Sequence, residues 1–254
     1  MKSRSMVARA VAGTLIATAV AGPAFAADES GAWGYAGATG PEHWGDLSSR
    51  YELCKTGLMQ SPIDLKQANA VGDLEVSTDW DPGPLVIVNN GKTVQANFAP
   101  GSYMTSGGSV FNLVQVHFHT PSEHTFSGEH YPLVAHFVHA TDEGSLGVLG
   151  VLFEAGEANG ELQKIIDAAA AAGAEPETVS GVTLDPNGLL PEEIEVYRYM
   201  GSLTTPPCSE GVNWHVVEDV VEASPEQIRA METMMGMNAR PVLPLNGRLL
   251  VEPD

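Results

Sequence analysis

The chain has 254 residues, of which 43% are hydrophobic, and 12 basic against 32 acidic side chains give it a formal net charge of -20. The length suits one domain with a sizeable core. An acidic chain repels nucleic acid and anionic membrane surfaces, so we expect neither as a partner and interpret the charge as a well-solvated surface.

Residues 1–26 have the pattern of a secretory signal peptide. Basic residues come first, an apolar run covers residues 11–22, and Ala24-Phe25-Ala26 fits a small-residue cleavage site. The apolar run is too short to span a bilayer, and no later stretch is long enough to do so. We therefore predict a mature domain over residues 27–254, without a membrane span, in the periplasm or secreted.

Strand patterns dominate the rest of the chain. Apolar or alternating runs occupy residues 85–88, 94–98, 110–119, 133–139, 147–153, 195–200, 212–221 and 249–251. Two helices interrupt them. Residues 161–172 are Ala-rich and end at Gly173, and Ser224-Pro225-Glu226-Gln227 has the capping pattern that starts a helix running to Met235. The sequence predicts a mainly β fold of the α+β class.

Three histidines occupy positions where two neighbouring strands would bring them together. His117 and His119 point to the same face because side chains alternate along a strand. In the next predicted strand, His136 falls on the face that can meet the other two histidines. Turn residues between the two strands predict that they form an antiparallel pair. Three imidazole nitrogens suit a tetrahedral zinc ion whose fourth position stays open, as in catalytic zinc sites.

Two nearby side chains favour a metal site over a surface or core role for these histidines. A lone His-x-His pair on a strand is more often exposed or a satisfied part of the core. Gln115 shares the face of His117 and can accept the free ring N–H of a metal-bound histidine. Glu123 adds a carboxylate close to the three histidines in the sequence. We therefore predict a zinc site.

Several segments together resemble the α-class carbonic anhydrases. The central ones are QVHFHTPSEH at residues 115–124, AHFVH at 135–139 and SLTTPP at 202–207. Others follow in family order: WGY at 33–35, PEHW at 41–44, QSPID at 60–64, NNG at 89–91, VNW at 212–214 and NARP at 238–241. One such motif is weak, but the ordered set spans nearly all of the predicted mature chain.

The resemblance implies both a fold and a reaction. The fold is a single domain built on a large, mostly antiparallel twisted sheet, with a few peripheral helices and zinc at the bottom of a conical cleft. The reaction is the reversible hydration of carbon dioxide to bicarbonate by a zinc-bound hydroxide. Thr204 matches the family's threonine that orients this hydroxide and donates to Glu123, and Thr205 lines the same cleft. Sulfonamides and other anions are the implied inhibitors.

An apolar wall is expected beside the metal because carbon dioxide is small and apolar. Val138 shares a strand face with His136, which places it near the site. The resemblance adds Val148, Leu203 and Trp214 to this wall. Without the resemblance, simple core packing is the better interpretation of each of these residues.

Cys54 and Cys208 are the only two cysteines of the chain. In an oxidising compartment the default expectation is that they form a disulfide, and the alternative is two buried free thiols. The resemblance agrees with the disulfide, because secreted members of the family have one at these two places. Such a bond would tie the region before residue 60 to the loop that contains Thr204.

The chain departs from the family at two important positions. Val134 stands where active members commonly have a glutamate that accepts the ring N–H of the third histidine, so the partner of His136 stays open between a backbone carbonyl, a water and none. Lys92 stands where efficient members have a proton-shuttle histidine, and a lysine with a pKa of about 10.4 accepts protons poorly at neutral pH. Leu243, in place of a glutamine, is a smaller departure.

Two other functions fit parts of the pattern. The spacing of His117, His119 and Glu123 matches the start of a cupin motif, in which Glu123 would be a ligand and the metal iron or manganese. The second is a non-catalytic zinc-binding module, like family members that have lost zinc ligands. The sequence leaves open whether the protein forms a homodimer.

Overall fold

The structure is a computed structural model that describes residues 32–72 and 74–254. The predicted signal peptide lies outside the described residues. In the described part of the chain, no helix is long and apolar enough to cross a membrane.

Strands form most of the regular structure. Within the described residues they are β1 Ala70–Val71, β2 Val76–Asp79, β3 Gly83–Asn89, β4 Val94–Asn97, β5 Tyr103–Ser106, β6 Ser109–His119, β7 Thr125–Phe126, β8 Glu129–His130, β9 Leu133–Ala140, β10 Leu146–Ala155, β11 Glu177–Leu184, β12 Val196–Ser202, β13 Glu210–Val217, β14 Val221–Ala223 and β15 Leu250–Glu252. The α-helices are α1 Trp44–Leu47, α2 Leu53–Thr56, α3 Gly160–Ala169 and α4 Pro225–Met235.

A single sheet of 13 strands organises the molecule. Its main path runs β1-β15-β12-β13-β10-β9-β6-β4-β3-β11, with β2, β5 and β14 attached beside it, while β7 and β8 form a separate hairpin. Most neighbours are antiparallel, and the parallel pairs are β1 with β15, β10 with β13 and β10 with β14. The predicted mainly β, mostly antiparallel architecture is therefore confirmed.

The predicted strands are found with small changes of boundary, and one prediction was wrong. Residues 212–221 are not one strand, because the charged pair Glu218-Asp219 forms a bend and the chain then pairs with β10 as β14. Several short strands were not predicted, including β2, β5 and β11. The burial patterns of β2 and β11 contain many exposed positions, so their apolar signal is weak, whereas β5 is only four residues long and two of its residues are Thr105 and Ser106.

Capping residues explain where the two longer helices begin. The side chain of Asn159 accepts hydrogen bonds from the first turn of α3, and this helix ends at Ala169, three residues earlier than predicted. Ser224 and Gln227 form the predicted capping box of α4. Both helices bury apolar residues against one face of the sheet, so they cover that face and leave the other free for a site.

Alternation along β9 separates two apolar clusters. Leu133, Ala135 and Phe137 point into the larger cluster, which also contains the buried side chains of α3 and α4. Val134 and Val138 point into a smaller cluster on the opposite side. His136 lies between these two valines in the sequence and faces the same way, so the histidines belong to the side of the sheet that the helices do not cover.

Candidate metal centre

Strand pairing brings the three predicted ligands together. β6 and β9 are antiparallel, and His117 is directly opposite His136 in their register. His119 lies two residues further along the same face of β6. The ring centroids are 5.1 Å apart for His117 and His119, 5.4 Å for His117 and His136, and 4.8 Å for His119 and His136. One ring nitrogen from each lies within 4.8 Å of the others, so the three side chains form a cluster that could hold a metal ion.

Hydrogen bonds identify the nitrogens of β6 that are free to bind a metal. Nδ1 of His117 is 2.9 Å from Oε1 of Gln115, the contact expected from the sequence. Nδ1 of His119 is 2.8 Å from the backbone carbonyl of Asn238. Both Nδ1 atoms therefore donate, which leaves the Nε2 lone pairs for a metal. Nε2 of His119 is buried and has no hydrogen-bond partner among the described residues, so its lone pair is available to a metal ion.

The third histidine presents the opposite nitrogen to the same point. Oε2 of Glu123 is 3.5 Å from Nε2 of His119 and 3.8 Å from Nδ1 of His136, so these two nitrogens face each other across the cluster. Nε2 of His136 points away, is buried and has no hydrogen-bond partner. Val134 is fully buried beside it and offers no acceptor. Among the described residues, no backbone carbonyl accepts from Nε2 of His136, so of the alternatives that the sequence left open, a water or no partner remains.

Burial keeps His117 and His136 in the neutral form that binds metals. Loss of solvation is the largest effect on the pKa of His117 and His136 and holds both well below the usual value, and neighbouring histidines lower them further. A set of three imidazole nitrogens that face one point fits a tetrahedral zinc ion with one open position.

Glu123 is held firmly beside this cluster. Its side chain has 0% exposure, and Oε1 accepts a hydrogen bond of 2.9 Å from the backbone N–H of Arg240. Burial raises the pKa of this carboxyl, while the nearby His119 ring, a hydrogen bond from Thr204 and the Arg240 contacts lower it. The Thr204 side chain therefore interacts with Glu123, as the sequence predicted.

Arg240 and Asn238 are two supporting residues to which the sequence assigned no role. The guanidinium of Arg240 donates to the side chain of Gln60 and to the carbonyls of Ser61 and Cys54. Asn238 accepts from the Thr120 N–H and presents the carbonyl that orients His119. Both lie more than a hundred residues from their partners, so no local spacing could reveal these contacts.

A disulfide supports the loop that contains the two threonines. Cys54 and Cys208 are bonded, as predicted, and lie 154 positions apart in the sequence. The backbone N–H of Cys208 donates to the carbonyl of Thr205 at 2.9 Å, which closes the loop tightly. Thr204 is buried and Thr205 is half-buried. The bond thus connects the segment before Gln60 to the part of the loop nearest the histidines.

The expected apolar wall is one row across three strands. In the strand register Val148 of β10 is opposite both Val138 of β9 and Trp214 of β13. All three are buried in the smaller cluster, and Leu203 packs against it while half-exposed. The Trp214 and His136 rings have centroids 4.9 Å apart, so the wall begins directly at the metal cluster.

Lys92 lies in the turn between β3 and β4 and is turned towards an aromatic ring. Its Nζ is 4.1 Å from the ring centroid of Trp33, a cation–π distance that favours the charged ammonium. Partial burial acts in the other direction and lowers the pKa of Lys92 from its ordinary value. No histidine occupies the position where the family has its proton shuttle.

Comparison with known proteins agrees with this geometry. The sequence model of the eukaryotic-type carbonic anhydrases matches residues 39–252. The chain belongs to the carbonic anhydrase family. Members of this family are enzymes that hydrate carbon dioxide, and the match rules out the cupin alternative considered from the His117-x-His119 spacing.

Relatives of known sequence and structure cover nearly the whole chain. A carbonic anhydrase of Nostoc sp. is 42% identical over 97% of this chain and 95% of its own. The α-carbonic anhydrase of Thermovibrio ammonificans, solved with the inhibitor sulfanilamide, is 46% identical with a TM-score of 0.83, over 87% of this chain and 99% of its own. The α-carbonic anhydrase of Photobacterium profundum is 43% identical with a TM-score of 0.81, over 87% of this chain and 100% of its own.

Proposed function

We propose that this carbonic anhydrase homologue hydrates carbon dioxide reversibly with a zinc ion held by His117, His119 and His136. The observation that carries the proposal is the convergence of three imidazoles, two buried and one half-buried, beside Glu123 and the apolar wall. A zinc ion bound there acidifies a water molecule at its open position and so supplies the attacking oxygen near neutral pH, a property known for carbonic anhydrases. The other steps belong to side chains of this chain.

Thr204 and Glu123 form the proposed orienting pair. Glu123 accepts a hydrogen bond from the hydroxyl of Thr204. The threonine oxygen can therefore only accept a hydrogen bond from the attacking oxygen. That arrangement directs a lone pair of the attacking oxygen towards the substrate. Arg240 keeps the carboxylate in place through its backbone N–H, because this bond fixes Oε1. Thr205, the next residue, lines the same cleft as Thr204.

The wall formed by Val138, Val148 and Trp214 is the proposed carbon dioxide site. These side chains offer only carbon surface to the substrate, since the indole N–H of Trp214 is already bonded to the Ser202 carbonyl at 2.9 Å. An apolar substrate gains by leaving water for such a surface, whereas charged bicarbonate does not. Leu203, half-exposed, would form the outer edge of this site.

The domain limits and location are also proposals. We infer that residues 27–254 form the catalytic domain after removal of residues 1–26, and that the protein works in the periplasm or outside the cell. The Cys54–Cys208 disulfide supports an oxidising compartment.

Sedimentation of the purified protein would decide between a monomer and a homodimer.

Stopped-flow hydration of carbon dioxide, measured together with bound metal, tests the proposed function. The protein as purified should contain one zinc per chain and be active. A chelator should remove the zinc and the activity, and added zinc should restore the bound metal and the activity. Full activity in metal-free protein would contradict the proposal.

Replacing Thr204 with valine should reduce hydration strongly while zinc stays bound. Valine has the same shape but no hydroxyl, so the orienting hydrogen bonds are lost and the ligands are untouched. One preorganised hydrogen bond of this kind is worth about 10²–10³-fold in rate. Thr205→Val is the matched control and should cost less, because the hydrogen bond that acts on Glu123 comes from Thr204. Equal losses in the two variants would show that loop packing, not orientation, sets the rate.

Sulfanilamide should inhibit the protein and should lose its affinity when zinc is removed. Its deprotonated nitrogen is an anionic ligand for the open fourth position, so binding depends on the metal. Titration calorimetry with zinc-loaded and metal-free protein measures this directly. Similar affinity in the two forms would place the inhibitor elsewhere on the protein.

A further inference from the structure

Two buried nitrogen atoms behind the histidine cluster lack partners. They are Nε2 of His136 and Nδ1 of His124, in side chains that are 1% and 0% exposed. Ring nitrogens removed from water are almost always hydrogen-bonded, because an unpaired one is costly. Two orphans in adjacent side chains therefore suggest a missing shared partner.

Hydrogen bonds on the far side of His124 indicate which nitrogen carries its proton. The hydroxyl of Tyr199 donates to Oγ of Ser61 at 2.7 Å. Towards His124 the same hydroxyl can therefore only accept, and Nε2 of His124, 2.7 Å away, is the donor. The neutral ring then has its lone pair on Nδ1.

His136 has the complementary arrangement. Its Nδ1 faces the metal cluster, so in the neutral ring Nε2 carries the proton. The two orphaned nitrogens are thus one donor, on His136, and one acceptor, on His124. A single water molecule has the right chemistry for both, because it accepts from the first and donates to the second.

The positions of the rings fit such a bridge. Their centroids are 6.2 Å apart, and neither nitrogen is within direct hydrogen-bond reach of the other. Both rings pack against Trp214, with centroid distances of 4.9 Å for His136 and 4.7 Å for His124, so they lie on the same side of the indole. Val134, beside His136 on the same strand face, is shorter than the family's glutamate and fills less of this space.

We propose that one buried water molecule joins Nε2 of His136 to Nδ1 of His124, and that His124 is thereby a positioning residue for the third zinc ligand. The bridge takes the place of the carboxylate that Val134 lacks. It extends through Tyr199 to Ser61, which is itself fixed by the Ser202 N–H at 3.0 Å. This inference rests on the proposed zinc site.

Zinc release into excess chromophoric chelator is the first test. His124→Leu removes the acceptor and should speed release by about 10–100-fold, the usual cost of losing a group that orients a metal ligand. His124→Gln keeps an acceptor oxygen and should release zinc nearly as slowly as the parent. The control is His215→Leu, which removes another buried histidine, bonded to Ser106 and remote from the zinc ligands, and should leave the rate unchanged.

Val134→Glu provides the second arm. Its carboxylate should accept the His136 N–H directly, displace the water and slow zinc release. In that background His124→Leu should have a much smaller effect. An equally large effect of His124→Leu with and without the carboxylate would overturn the bridge.

Nitrogen NMR of the unaltered zinc-loaded protein tests the inference without any variant. Ring 15N shifts and couplings should show the proton of His124 on Nε2 and that of His136 on Nε2, with slow exchange of the latter. A proton on Nδ1 of His124 would overturn the inference. A parent protein that holds no zinc would instead overturn the proposed function, whereas one that holds zinc and releases it unchanged after His124→Leu would overturn only the bridge.

Discussion

Zinc binding and hydration of carbon dioxide should both disappear when His117, His119 and His136 are replaced together by alanine. Three nitrogen lone pairs are the whole ligand set that the described residues bring to this point, so nothing remains to hold the metal. Metal analysis after dialysis should fall from one zinc per chain to none, and catalysed hydration should fall to the uncatalysed rate.

A buried histidine elsewhere provides the control for this experiment. His139 points into the larger core, stacks on Trp80 with centroids 5.6 Å apart, and belongs to the opposite face of β9. His139→Gln should therefore keep one zinc per chain. Retention of a full zinc equivalent by the triple alanine variant would show that the ligands have been assigned wrongly.

Lys92→His should raise the turnover number in weakly buffered solution by about 10²–10⁴-fold, the usual contribution of a positioned general acid–base group. Each turnover leaves a proton that must reach bulk solvent, and the best relay has a pKa near the working pH. Partial burial lowers the pKa of Lys92, but the ordinary value of a lysine is about 10.4 and the Trp33 ring favours the charged ammonium, so Lys92 is a poor proton acceptor at neutral pH. Histidine, with a pKa of about 6.5, can both accept and release one.

Buffer dependence distinguishes this effect from a general gain in activity. Imidazole buffers should raise turnover of the parent and have little effect on the variant, while the second-order rate constant with carbon dioxide should be the same for both. The matched control is Lys66→His, since Lys66 also lies over an aromatic ring, Phe126, but is exposed and not at the shuttle position. High, buffer-insensitive turnover of the parent would mean that another side chain exports the proton.

Local rules of strand geometry were enough to predict much of the site. Alternation along a strand placed His117, His119 and Gln115 on one face, and the same rule placed His136 and Val138 together. Turn residues between the two runs were enough to predict that the strands pair antiparallel. The register that sets His117 opposite His136, however, was determined by the packing of the sheet.

Contacts between distant segments could not be predicted in the same way. The backbone N–H of Arg240 fixes Glu123, the carbonyl of Asn238 orients His119, and the Trp33 ring holds Lys92. Each joins residues far apart in the sequence, and whether they meet depends on how the whole chain closes around the sheet.

The sequence by itself was enough to predict the three candidate metal ligands and the mainly β fold, and it shows that position 134 carries no carboxylate. These follow from the period of side chains along a strand and from residue type, both of which are local. Only the tertiary structure decided that Nε2 of His136 has no partner in the protein and that His124 presents the second unpaired nitrogen near it. The reason is physical: hydrogen-bond satisfaction in a buried site depends on every group that packs around it.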